Sequence, residues 1–299
     1  MDRQTKSAIL AIAVIIPISS LFVLNSDQTI VSSSSASSEI SVIASFYPLY
    51  EFANEIGQDK IKVSLLVPPG IGPHDWEPKF TDLQKMYESD LILINGIGFE
   101  NWLNNIDTVN SDVIIVDTSE GILVIDDNFF QNDPHIWLNP VMAKTQVTNI
   151  ADALVKIDPV NEKYYKQNEK SYLAKLDSLD TKIKNELSTC KKDFIAFHNA
   201  FSYFAIQYNL NQHVIINSND HNIEPTSKTL VEIINLAQTY DIDVIFTEDG
   251  IDPRSPQVIA NEINARVLVL SPIEFIDENS NYIMKMENNL VNLKEALCN

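Results

Sequence analysis

The sequence predicts an α/β fold of two lobes, each with a central, mostly parallel four-stranded sheet flanked by helices, joined by one long backbone helix. Three observations predict it. From Glu39 onward, short β-branched runs alternate with longer amphipathic stretches, the pattern of repeated strand–helix units. The β-rich runs are apolar along nearly their whole length, as parallel strands covered on both faces by helices must be. The same grammar then restarts in the second half, after a long stretch whose apolar residues recur at spacings of three and four.

Taken in order, Arg3 and Lys6 precede an apolar stretch from Ala8 to Leu24, interrupted by Pro17, Ser19 and Ser20, and Ser32 to Ser38 follow as a small polar run. Residues 1–38 therefore read as an export signal or a membrane anchor with a serine-rich linker. No cysteine follows the apolar stretch, so acylation there is not available. Either way the remainder is expected outside the cytoplasm, tethered to the membrane or released after signal cleavage. The first lobe, 39–157, has candidate strands at 41–46, 62–67, 91–94 and 113–116, with helices starting near Pro48, Phe80 and Glu100. A connecting helix of roughly eight turns spans 158–189, with Asp158 as its cap and Pro159 in its first turn. Its apolar side is Tyr164, Tyr165, Tyr172, Leu173, Leu176, Leu179, Ile183 and Leu187. The second lobe, 190–299, has strands at 193–197, 213–217, 243–246 and 266–270 and helices near Ala200, Ser227, Ser255 and Asn279. Lobes joined by one stiff helix should close less widely than lobes joined by flexible strands.

A chain of 299 residues can bury a full core and accommodates two domains. Its 41 acidic and 21 basic residues give a formal charge of −20, which excludes a nucleic-acid partner because phosphate neutralisation needs a basic face. An acidic surface concentrates cations near a cleft or simply confers solubility. The two cysteines, Cys190 and Cys298, are too few for a structural zinc knuckle. In an exported protein they either pair, joining the start of the second lobe to the chain's end, or stay independent buried thiols.

Three of the five histidines fall where a predicted strand gives way to a turn or helix start: His74, His135 and His198. Ligands of open parallel sheets bind beyond the carboxyl ends of strands, and imidazole is the commonest protein ligand for transition metals. Three imidazoles drawn from both lobes would meet in the cleft and leave a fourth position for a carboxylate, water or substrate. Each histidine taken alone reads more readily as a hydrogen-bonded turn or core residue than as a ligand. His213, at a strand start, and His221, in a polar loop, are read that way.

The chain resembles the metal-binding solute receptors of ABC importers, the zinc and manganese group, through strings that run in family order over nearly all of 40–275. They are Ala44-Ser45-Phe46-Tyr47-Pro48-Leu49, Gly72-Pro73-His74-Asp75-Trp76-Glu77-Pro78, the run from Asn95 to Leu103, Asp133-Pro134-His135-Ile136-Trp137-Leu138-Asn139-Pro140, the run from Phe197 to Phe204, Glu224-Pro225-Thr226-Ser227 and Phe246-Thr247-Glu248. The resemblance implies a two-lobed receptor with a backbone helix, His74, His135 and His198 as interlobe ligands, and an ABC permease as partner. In the family an aspartate in a leucine-aspartate-proline string commonly supplies the fourth ligand. Here that string reads Leu270-Ser271-Pro272-Ile273-Glu274; a neutral hydroxyl such as that of Ser271 is a poor ligand, so the fourth position falls to water or to a carboxylate such as Glu77 or Glu274 reaching in. Three imidazoles with few oxygens suit zinc better than manganese, with another late divalent metal less favoured. The long histidine-rich loop of many zinc-specific members is missing, its place held by the acidic and aromatic segment 125–132. Glu248 is expected to hold a ligand in place from behind.

The leading expectation is thus a monomeric extracytoplasmic receptor that captures zinc and performs no chemistry. Two alternatives use the same residues: a zinc hydrolase exploiting an open fourth position, with Glu77 or Glu274 as base, and a surface adhesion protein that keeps the fold.

Overall fold

The computed structural model describes residues 39–105, 113–124, 133–216, 225–249, 254–277 and 279–298. The signal or anchor segment, the acidic segment 125–132, His221 and Glu224 lie outside the described residues. The apolar runs form strands within two residues of where they are predicted. Ile40–Ala44 (β1), Ile61–Leu65 (β2), Leu91–Ile94 (β3) and Ile114–Asp117 (β4) make one parallel sheet in the order β2-β1-β3-β4. Asp193–His198 (β5), Asn211–Ile216 (β6), Val244–Thr247 (β7) and Arg266–Val269 (β8) repeat that order as β6-β5-β7-β8, again parallel throughout. In each sheet the winding direction reverses between the first and third strands, which opens a crevice at their carboxyl ends.

The helices are Tyr47–Gly57 (α1), Phe80–Tyr87 (α2), Pro140–Ile157 (α3), Glu162–Leu187 (α4), Ser202–Tyr208 (α5), Ser227–Thr239 (α6), Arg254–Ile263 (α7) and Tyr282–Leu297 (α8). Pro48 and Pro140 occupy first-turn positions, where a missing N–H costs nothing, and the Asn139 side chain accepts from Val141 N–H to cap α3. The 26 residues of α4 extend about 39 Å. Their buried side is Tyr165, Glu169, Tyr172, Leu176, Leu179, Ile183 and Leu187; Tyr164 and Leu173, which the spacing also puts there, are half-buried beside it. The apolar residues of this stripe belong to one continuous core that also contains Val42, Phe46 and Trp137 on the first sheet's side and Phe194, Phe246 and Tyr282 on the second's. Both sheets therefore lie in one compact unit, Glu39–Asn299.

Two expectations need correction. Asp158 does not cap the long helix. A 3-10 turn, Pro159–Asn161, intervenes, and the Asp158 carboxylate instead accepts from Asn161 Nδ2 (2.6 Å) and from the Tyr165 hydroxyl (2.7 Å). No α-helix starts near Glu100 among the described residues; a 3-10 stretch, Asn101–Asn105, stands there. The reason is the turn before it, where Gly96, Ile97 and Gly98 all have positive φ and the Glu100 carboxylate folds back onto Asn95 and Gly96 N–H groups. The cysteine alternatives resolve to a disulfide, Cys190–Cys298, which ties the end of α8 to the start of the second half across a sequence separation of 108. Closing a loop of that length stabilises the fold by about 4–5 kcal/mol in the chain-entropy account.

Candidate metal centre

Four buried side chains meet between the two sheets: His74, His135, His198 and Glu274, with one donor atom from each lying within 4.8 Å of the others. His74 comes from the loop that leaves β2, where Pro68, Pro69 and a left-handed Gly70 turn the chain back over the sheet end. Its ring stands edge-on to Phe99, centroids 5.0 Å apart. His135 is held by its own turn, in which the Asp133 carboxylate accepts from His135 N–H (3.0 Å) and from Nδ1 (2.7 Å). His198 is the last residue of β5. Glu248, immediately after the neighbouring β7, accepts from His198 N–H (3.1 Å) and from Nδ1 (2.5 Å).

A carboxylate on Nδ1 keeps the ring proton there and leaves the Nε2 lone pair facing inward, so Asp133 and Glu248 set the tautomers of His135 and His198. The three Nε2 atoms converge: His135 to His74 is 3.2 Å and His198 to His135 is 3.2 Å. Glu274 Oε1 stands 3.1 Å from His74 Nε2 and 3.8 Å from His135 Nε2. A tetrahedral ion about 2.0–2.1 Å from each donor spaces those donors by roughly 3.3 Å, the spacing that the His74–His135, His135–His198 and His74–Glu274 pairs show. Burial lowers the pKa of His135 below its ordinary 6.5, and the neighbouring imidazoles push the same way, while Asp133 pulls it up. A fully buried imidazole is thereby kept neutral, the form that binds a metal.

The other candidates stand apart from this cluster. Glu77 is exposed. Ser271 is buried but turned into its own loop: its hydroxyl accepts from Ile273 N–H (3.1 Å), while Asn289 takes its N–H (2.8 Å) and its carbonyl (2.7 Å). His213 sits on β6 with its Nε2 on Asp193 (2.9 Å). Asp133 is the residue that sequence reasoning missed, although its place two residues before a histidine was a usable signal for a side chain that bonds its own turn. Trp137 also escaped notice; its ring packs 5.0 Å from that of His135.

Residues 42–296 match the family described as zinc-uptake complex component A, periplasmic. The high-affinity zinc uptake system protein ZnuA of Bacillus subtilis (strain 168) is 33% identical over 288 residues, which cover 89% of this chain and 90% of that protein. The crystal structure of the metal-dependent lipoprotein YcdH from Bacillus subtilis superposes with a TM-score of 0.78 at 34% identity, over 86% of this chain and 99% of that one. The laminin binding protein of Streptococcus agalactiae, described as bifunctional with adhesin and metal transporting activity, gives a TM-score of 0.81 at 29% identity, over 86% and 98% of the two chains.

Proposed function

Because this chain belongs to the periplasmic zinc-uptake component A family, we propose that it is the extracytoplasmic receptor of an ABC importer, and that it captures zinc and passes it to the permease. The observation that carries the reading is the convergence of three Nε2 atoms and one carboxylate oxygen in a buried group. His74, His135, His198 and Glu274 are the proposed ligands. Their net charge of −1 leaves part of the ion's charge to Asp133 and Glu248 behind the imidazoles, which raises ligand basicity. Three nitrogens and one oxygen favour zinc over manganese, which takes harder oxygen donors at higher coordination. Acidification protonates the imidazoles in competition with the ion, so capture weakens as pH falls through the histidine range.

Glu274 in the fourth position argues for binding rather than hydrolysis, since a catalytic zinc keeps that position open. The chain is proposed to act as a monomer without nucleic-acid partners, with 39–157 and 190–299 as its lobes, 158–189 between them and 1–38 as signal or anchor. Adhesion is a second reading, favoured only by the likeness to the laminin binding protein.

Elemental analysis of protein isolated without added metal should find about one zinc per chain, and calorimetry should show that His135→Ala loses most zinc affinity. A metal-free isolate, or an unchanged affinity in that variant, refutes the receptor reading.

A further inference from the structure

The segment 270–277 leaves β8 of the second sheet, carries Glu274 to His74, and is fastened at its start from two sides. On its own side Asn289 of α8 grips the Ser271 backbone twice. On the other side the Trp137 indole N–H donates to the carbonyl of Pro272 at 2.7 Å. Directly after these clamps Ile273, whose N–H donates to Ser271 Oγ (3.1 Å), is held at φ +60. A β-branched residue avoids that left-handed region, so the neighbouring bonds must impose it. This forced turn is what swings the next residue, Glu274, inward. Trp137 is itself fully buried. Its carbonyl accepts from the Tyr282 hydroxyl (2.6 Å), which lies beyond the far end of the same segment. Its ring packs on His135 and, 5.4 Å away, on Phe99, which in turn abuts His74.

Resting on the ligand set proposed above, we infer that Trp137 is a positioning residue that locks the Glu274 carboxylate to the His74–His135 pair and so makes the site four-coordinate and selective for zinc. One rigid side chain spans both requirements: its ring face orients an imidazole and its N–H fixes the strained turn that aims the carboxylate. A donor held this firmly cannot retreat to admit the extra waters of a six-coordinate ion. Trp137→Phe removes that N–H while keeping an aromatic ring beside His135; it frees the Pro272 carbonyl and lets the Ile273 turn relax, which withdraws Glu274.

The test is a double-mutant cycle of Trp137→Phe with Glu274→Gln, read by zinc calorimetry and by the visible absorption of the cobalt(II)-loaded protein. Trp137→Phe alone should weaken zinc by about 10-fold, the low end for a residue behind a ligand, narrow the preference for zinc over manganese, and reduce the intense four-coordinate cobalt bands. In the Glu274→Gln background it should cost less than about twofold. Tyr282→Phe, which removes a bond to the Trp137 carbonyl and leaves all rings in place, should move zinc affinity and cobalt bands the same way by a smaller factor. It serves alone if Trp137→Phe does not fold. An equal loss in both backgrounds, or unaltered cobalt bands in the folded variants, overturns the inference and leaves Trp137 a packing residue. A Glu274→Gln variant that binds zinc like the parent would instead overturn the fourth-donor reading, and this inference with it.

Discussion

The crevices of the two sheets are built alike and used differently. At the first, beside β1 and β3, the Glu100 carboxylate lies buried and accepts from Ser45 Oγ (2.7 Å), Asn95 N–H (2.7 Å) and Gly96 N–H (3.1 Å). At the second, beside β5 and β7, the Glu248 carboxylate is buried and accepts from the N–H and the ring of His198. In the first crevice the carboxylate completes a turn, and the clustered histidines of that half, His74 and His135, come from longer loops. In the second it aims an imidazole from the strand end itself. The difference teaches that a switch point offers donors and space, and that whatever side chain ends the central strand decides whether the carboxylate there serves the fold or the ion.

The largest test of that contrast is within the second sheet. His198 and His213 lie on adjacent strands, each with a carboxylate on one ring nitrogen, but only His198 stands at the carboxyl end. His198→Ala should cost at least about 100-fold in zinc affinity, more than a residue behind a ligand typically costs, and His213→Ala should leave calorimetric affinity unchanged. A comparable loss in both would break the strand-end argument.

Exchanging the two carboxylates for amides should separate their roles by smaller amounts. Glu248→Gln offers His198 an acceptor of lower basicity and should weaken zinc about 10-fold with little change in thermal midpoint. Glu100→Gln should leave zinc affinity nearly unchanged and cost about 1–3 kcal/mol in denaturant unfolding, because an amide cannot accept from all three donors. An affinity loss in Glu100→Gln as large as that in Glu248→Gln would mean that both crevices serve the ion.

The smallest effect is in pH. Burial pushes the Glu100 carboxyl up to about 7, against the pull of its three donors. A carboxyl whose pKa is higher folded than unfolded holds a proton that the unfolded chain has released, so acidification from about pH 7 toward its ordinary 4.5 adds stability. His135 works oppositely. Its folded pKa lies below 6.5, so its contribution is present above that value and is lost as pH falls further. His135 is common to the parent and Glu100→Gln, and only the parent can protonate residue 100. Metal-free unfolding curves of the two proteins should therefore diverge as pH falls from about 8 to 5, the parent gaining relative to the variant. A gap that stays constant would show that Glu100 does not titrate in this range.

Much of this molecule was legible in the linear chain. Strand runs such as Leu91–Ile94, apolar at every position, could only be covered on both faces. The stripe from Tyr165 to Leu187 marked the long helix, and His74, His135 and His198 stood out because metal-binding side chains collect at strand ends. These signals are local, carried by period and by neighbours in sequence. What only the tertiary structure decided depends on contacts between distant residues. Glu274, and not Ser271 or Glu77, stands with the three histidines, and the loop that carries it is bonded to Trp137, 135 residues away from Pro272. Ser45, 55 residues earlier, donates to the Glu100 carboxylate and so joins β1 to the turn in which that carboxylate is held. Cys190 meets Cys298 because α4 and α8 pack side by side. Periodicity reports which face of an element is buried, and it carries no information about which distant group will face it.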